Sequence, residues 1–342
     1  MPKPKHILVI RLSAMGDVAM SVPVLRAFIQ QHPNVKVTVL TRDFFKPFFR
    51  DLKNVTIFSP DLNGKHKGFL GLYKLSKELK SLSIDEVADL HNVLRTKIIK
   101  FFFFGKTFKQ IDKGREEKKA LVVGQKFEQL KTTHERYADV FRKLGYTINL
   151  SNPNFPEQKT LDQSTQDLIK KDNKNWIGIA PFAQYQSKMY PLDLLERVIF
   201  ELSKSNKILL FGGGKKEVKI LNAFQDKYSN VINLAGKLSL SQELDVISNL
   251  DVMLAMDSGN AHIAAMLGKK VVTIWNVTHP FAGFSPFNQP EDYCLLSNRS
   301  QFPLIPTSIY GNKFPENYKE ASRTIAPDTV IKKIDFILAN NK

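Results

Sequence analysis

Residues 253–266, MLAMDSGNAHIAAM, read as the end of a buried strand, a short polar turn and a helix opening on Asp257, Ser258 and Gly259. Such a junction places unbonded backbone N–H groups and the positive end of a helix dipole at a strand's carboxyl end. Open α/β sheets bind phosphorylated ligands there. Ser258 and His262 are four apart, so both side chains share one face of the first turn and a half. A hydroxyl and an imidazole beside free N–H groups suit a pyrophosphate. Asp257 would repel phosphate, and its better role is to hold hydroxyls of an attached sugar. The competing reading makes Asp257 or Ser258 an N-cap and His262 a satisfied surface residue. The rest of the chain tips the balance toward a ligand site.

Working outward, Asp251 to Met256 is the strand feeding this turn and Val271 to Trp275 the next one. Upstream, Trp176 to Ala180 and Lys207 to Phe211 read as strands, Leu192 to Ser203 as a helix, and Gly212 to Gly214 open a helix over Glu217 to Tyr228. Val231 to Asn233 is a short strand and Ser241 to Asn249 a helix. A second β/α series occupies the first half. His6 to Leu12 (HILVIRL), Val35 to Leu40, Val55 to Phe58 and Ile84 to Leu90 are strand-like; Asp17 to Gln31, Phe44 to Asp51 and Gly68 to Leu82 are helical. Alternation of this kind predicts two doubly wound parallel sheets. Ser151 to Gln158, SNPNFPEQ, with two prolines and no apolar period, is the expected linker. The domains are therefore placed at residues 1–155 and 156–327, with residues 328–342 forming an amphipathic helix that packs back on the first domain.

A chain of 342 residues suffices for two cores without disulfides or a structural metal. The single cysteine, Cys294, excludes an internal disulfide and a cysteine-based zinc site. Lys3 and Lys5 precede the apolar ILVI, which is too short for a signal sequence and is cut by Arg11. The expectation is a cytoplasmic protein, or one peripheral to the cytoplasmic face of an inner membrane. The net charge of +17 is lopsided: residues 1–155 hold 28 Lys and Arg against 14 Asp and Glu, residues 156–342 hold 22 against 19. A basic first half implies an anionic partner, whether nucleic acid, acidic lipid or phosphorylated glycan.

Asp17, in RLSAMGD, follows a buried strand and a glycine turn at a helix start, and is the candidate base; the plainer reading is an ordinary N-terminal helix acid. Arg11 ends the same strand, and His91 and Arg95, in DLHNVLR, leave another; all three are candidate contacts for an anionic acceptor. Lys188, in SKMYP, can neutralise a pyrophosphate as a point charge, although an exposed lysine is unremarkable in so basic a chain. Gly212 to Gly214, Gly213 central among them, let a ligand approach the backbone, but without GxGxxG spacing. No DxD is present, which argues against a metal-held nucleotide sugar. Ile98 to Phe104, IIKFFFF, flanked by lysines, is either a surface pressing on an anionic bilayer or, as favoured, a buried strand with charged ends.

Together these motifs resemble glycosyltransferase family nine, the lipopolysaccharide heptosyltransferase group. The matching pieces are ILVIRLSAMGDVAMSVPVLRAF, DLHNVLR, HERYADVFRKLG, SKMYP, LFGGGKKE, AGKLSLSQ, MDSGNAHIAAMLGKKVVTIW and THPFAGF. The resemblance implies a GT-B architecture: two Rossmann-like domains facing a cleft, with ADP-heptose held by the C-terminal one. It further implies inversion at the anomeric carbon without metal or cofactor, and a lipid-linked lipopolysaccharide core acceptor. By similarity Asp17 occupies the base position, and Lys188, Asp257, Ser258, Gly259 and His262 the donor positions. The chain departs from the pattern at Lys215-Lys216, where an acid for the ribose is common, leaving Glu217 nearest, and at Phe182, Ala183 and Gln184, where a hydroxylated pair commonly precedes the lysine. SIYGNKFPENY resembles a subgroup and carries no assigned role. Alternatives are a transferase using another sugar nucleotide, a non-catalytic sugar-nucleotide sensor, and a basic nucleic-acid-binding protein. The last lacks any helix-turn-helix, RNP or zinc-finger signature, so no nucleic-acid partner is expected.

Overall fold

The computed structural model describes residues 5–170 and 172–340. Its contacts divide the chain into two units. The first runs up to Lys113 and takes in Thr133–Asn154; the second comprises Gly114–Thr132 and the chain from Phe155 onward.

In the first unit, β1 (His6–Ile10), β2 (Lys36–Leu40), β3 (Val55–Phe58), β4 (Glu86–Asp89) and β5 (Thr107–Gln110) form one sheet. The order is β3-β2-β1-β4-β5, parallel throughout. β1 is central, pairing Leu8 with Thr38 on one side and with Val87 on the other. This explains its unbroken apolar run: a parallel strand covered on both faces has no solvent side. Helices α1 (Met15–Gln31), α2 (Gly68–Ser81), α3 (Leu94–Phe102) and α5 (Thr133–Arg142) flank the sheet. Leu8 and Ile10 meet Leu72, Leu75, Leu79, Ile99 and Phe103 on one face. On α1, Phe28 stacks on Phe141 of α5 with ring centroids 4.5 Å apart. α1 begins two residues before its expected start and carries Pro23 in its interior.

The Ile98–Phe104 stretch is not the buried strand favoured from sequence. It is the end of helix α3 and the turn after it, and the strand begins later, at Thr107. Ile99 and Phe103 are buried, whereas Phe101 and Phe104 are 72% and 95% exposed. A short apolar run does not reveal its period, and the spacing of Ile99 and Phe103 is helical.

The second unit contains β6 (Trp176–Ala180), β7 (Lys207–Leu210), β8 (Val231–Asn233), β9 (Val252–Met256), β10 (Lys270–Trp275) and β11 (Cys294–Leu296). Their order is β11-β10-β9-β6-β7-β8, again all parallel. The helices here are α4 (Arg115–Val122), α6 (Gln163–Ile169), α7 (Leu192–Ser203), α8 (Lys215–Lys227), α9 (Leu240–Ser248), α10 (Gly259–Met266) and α11 (Pro327–Ala339). On α7, Leu195, Val198, Ile199 and Leu202 form the i, i+3, i+4, i+7 stripe that faces the core. α9 opens on a capping box, with Ser239 and Gln242 bonding reciprocally.

Two boundaries differ from the sequence reading. Gly114–Thr132 belongs to the second unit: Leu121 and Leu130 pack with Ala282, and the Leu130 N–H donates to the Phe281 carbonyl at 2.9 Å. The C-terminal helix α11 also lies in the second unit, not on the first. Its Val330, Ile334 and Ile337 join the core built by α7, β9 and β10. Its amphipathic stripe was legible; which core would receive it was not.

Candidate active site

All strands of each sheet are parallel, so their carboxyl ends share one edge. In each unit, the strand order reverses beside the central strand, β1 or β6. There, adjacent loops leave in opposite directions and open a crevice.

In the first unit this point lies between β1 and β4. Arg11 follows β1, is nearly buried, and spends its guanidinium internally. Nη1 donates to the Leu90 carbonyl at 2.7 Å and Nη2 pairs with Asp17 Oδ2 at 2.5 Å. Its Cζ also lies 5.7 Å from the Tyr137 ring centroid. Arg11 therefore braces the Asp17 carboxylate, while its buried Nε has no hydrogen-bond partner among the described residues. Asp17 stands in the first turn of α1 and accepts from the Ala14 N–H at 3.2 Å, closing that helix start. Both contacts fall on Oδ2. The side chain is 31% exposed.

His91 follows β4. Asp89, fully buried, shapes the turn by accepting from the N–H groups of both His91 and Asn92 at 2.9 Å. Burial, with the charges of Arg11, Lys113 and Arg95 acting in the same direction, pushes the His91 imidazole down to about 3. It is thus a neutral group at physiological pH, and its buried Nδ1 has no hydrogen-bond partner among the described residues. Arg95 and Lys113, the latter not singled out from sequence, are cations close enough to act on this imidazole.

In the second unit β9, β6 and β7 are neighbours, so the loops carrying Asp257 to His262, Lys188, and Gly212 to Gly214 emerge side by side. Ser258 is the N-cap of α10, yet its side chain makes no capping bond. Its Oγ is buried without a partner among the described residues. A buried hydroxyl in that condition is costly unless a ligand completes it. The first N–H groups of α10 lack intrahelical acceptors by construction. They add roughly half a positive charge at the helix start. His262, one turn on, is buried.

Lys188 and Asp257, expected to serve diphosphate and sugar separately, are bonded to each other. Lys188 Nζ lies 2.8 Å from Asp257 Oδ2, which also accepts from Thr278 Oγ1 at 2.8 Å. The pair is largely out of solvent, with side chains 14% and 8% exposed. Thr278 lies in THPFAGF, a segment whose part in the site was not read from sequence.

SIYGNKFPENY acquires a role here. The Ser187 hydroxyl donates to the Gly311 carbonyl. Gly311 has φ +76°, and a Cβ there would come within 2.5 Å of Lys188 Cγ. Only glycine lets this segment lie against the lysine stem and fix its direction.

Gly214 needs its φ of +82° to open α8, while a Cβ on Gly213 would meet nothing within 4 Å. Packing within the protein therefore does not demand glycine at 213. The Gly213 N–H donates to Glu217 Oε2 at 2.7 Å. Glu217, the acid in the first turn of α8, thus stands beside the glycines where Lys215 and Lys216 do not supply one. Among the described residues, no three of His, Cys, Asp and Glu gather as a metal-binding group.

Both units are Rossmann-like: the first carries an arginine-held carboxylate, the second a cation and a helix N-terminus at its switch point. The chain belongs to glycosyltransferase family 9 (heptosyltransferase), whose sequence profile matches residues 72–304, and it is a glycosyltransferase. Lipooligosaccharide heptosyltransferase 2 of Campylobacter jejuni subsp. jejuni serotype O:6 is 24% identical over 331 residues, covering 94% of this chain and 95% of that one. A solved glycosyl transferase family 9 structure from Veillonella parvula DSM 2008 matches with a TM-score of 0.77 at 19% identity, covering 99% of both chains. The structure of E. coli ADP-heptose lps heptosyltransferase II matches at 0.70 and 17%, covering 98% of this chain and 99% of that one. These likenesses establish the GT-B class of two parallel-sheet domains.

Proposed function

We propose that this chain transfers a heptosyl residue from ADP-heptose to a hydroxyl of an anionic, lipid-linked lipopolysaccharide core glycan, inverting the anomeric carbon without a metal ion. The observation carrying this reading is the unsatisfied, buried Ser258 Oγ at the start of α10. With Lys188 at the next strand's exit it makes a seat for a diphosphate. The names of the Campylobacter and E. coli relatives support the heptose, the ADP and the lipid-linked acceptor.

In this mechanism Asp17 Oδ1 takes the proton of the acceptor hydroxyl. That oxygen bonds to the anomeric carbon as the bond from carbon to the diphosphate oxygen breaks, and ADP leaves with the electron pair. Lys188, the N–H groups of α10 and His262 stabilise the charge gathering on the leaving diphosphate. Occupation of the site draws Lys188 toward phosphate and frees Asp257 to accept from sugar hydroxyls. Arg95, Lys113 and neutral His91 orient the anionic acceptor. Glu217 Oε1 accepts from the ribose. The reaction takes place in the cytoplasm.

The Lys215-Lys216 pair favours one second reading, a donor with a different nucleotide. A thermal-shift panel separates the two. ADP and ADP-sugars are expected to raise the melting temperature more than UDP- or GDP-sugars at equal concentration, since stabilisation grows with ligand concentration over Kd. A larger shift with UDP or GDP would overturn the adenine assignment.

A further inference from the structure

Helices α2 and α3 carry an apolar surface that no part of the transfer chemistry uses. Phe69 and Tyr73, one turn apart on α2, both lean on Phe102 of α3, at 5.3 and 5.2 Å between ring centroids. Phe101 meets the same ring at 5.5 Å. On the same two helices and the turn after α3, Phe69, Leu70, Leu94, Phe101 and Phe104 are between 58% and 95% exposed. Water-exposed phenyl groups joined into one patch are unusual on a protein that stands alone in solution.

Charge identifies what covers it. Lys67, Lys74, Lys77, Lys97, Lys100 and Lys106 are all exposed on or beside the two helices. None is ion-paired among the described residues. Glu78 is the sole acid in either helix, and it is held by Lys65 and His66. Two copies of the chain meeting through this face would set six unpaired cations against six more. Protein interfaces also tend to exclude lysine. Phenyl and leucyl groups within a ring of lysines match the boundary of an anionic bilayer instead, with apolar tips below the headgroups and ammonium groups among the phosphates.

We infer that the α2–α3 face docks the protein on an anionic lipid bilayer through Phe69, Leu70, Phe101 and Phe104, with the surrounding lysines pairing with lipid phosphates. No helix among the described residues is long and apolar enough to cross a membrane, so the attachment is peripheral. The inference does not depend on the donor or on turnover.

Sedimentation of the purified chain with vesicles tests it. Binding is expected to vesicles of phosphatidylcholine with phosphatidylglycerol, to fall with added salt, and to be absent with phosphatidylcholine alone. Joint replacement Phe101→Ser and Phe104→Ser lowers the partition coefficient at least ~10-fold. Each of Lys74→Gln and Lys97→Gln lowers it about fivefold. Phe336→Ser, removing an exposed phenyl on α11, leaves it unchanged. Should the double serine variant fail to fold, the two lysine variants decide. The inference is overturned if the wild type ignores phosphatidylglycerol vesicles or if patch and control variants bind alike. It is equally overturned if the patch variants abolish a dimer while vesicle binding is missing.

Discussion

Replacing Asp17 by Asn lowers heptosyl transfer by about 10²–10⁴-fold, the range for losing a general base, while nucleoside diphosphate affinity stays within about twofold. Asn keeps the size of the side chain and an oxygen for the Ala14 N–H and for Arg11. The helix start therefore survives, and what disappears is the ability to take a proton at Oδ1. Arg11 is nearly buried and pairs with this carboxylate at 2.5 Å, so a modest fall in melting temperature accompanies the change. Parallel measurement of transfer rate, calorimetric ADP affinity and melting temperature separates the effects. Transfer within a few-fold of wild type, in a folded variant, would remove Asp17 from the proton's path.

The second large effect concerns Lys188. Lys188→Ala withdraws the cation from the diphosphate seat and leaves Asp257 with Thr278 alone. Two losses follow: donor affinity falls about 10–10²-fold, and stability falls by about 3 kcal/mol, the lower end for breaking a buried pair. The double change Lys188→Met with Asp257→Asn distinguishes them. Removing both charges together recovers most of the stability, because neither is stranded, whereas donor affinity remains lost. Calorimetry and chemical denaturation read the two quantities. If the double variant regained donor affinity along with stability, the lysine would be a structural partner of Asp257 and not a ligand for phosphate.

The residues that make the fold legible differ in kind from those that complete the site. HILVI, VMLAM and the α7 stripe announce strand and helix through local pattern alone, and the DSG turn announces a new element as a short polar break between two apolar segments. Asp17 is legible for the same reason, since a helix start after a buried strand has a known address on a parallel sheet. The pairings escape such reading. Arg11 and Asp17 are joined across a turn whose path the sequence does not specify. Lys188 and Asp257 come from separate strand exits, brought together only by the order β9-β6. Gly311 meets Lys188 through a long loop with no periodicity. His91 looks like a cation until burial among Arg11, Lys113 and Arg95 makes it neutral. Gly114–Thr132 offers no local sign of which core it serves, because its partner Ala282 lies far along the chain. The IIKFFFF run failed for a related reason: hydrophobicity without a visible period names neither element nor burial, and here half of it faces water.

The proposed reaction moves a heptosyl group from ADP-heptose. The most direct measurement is the mass of a lipid-linked core acceptor after incubation with the purified protein and ADP-heptose. The predicted result is a gain of one heptosyl residue per acceptor with stoichiometric release of ADP, and no gain with the Asp17→Asn protein over the same interval. Release of ADP with the acceptor mass unchanged, or a mass gain supported equally by the Asn variant, would contradict it.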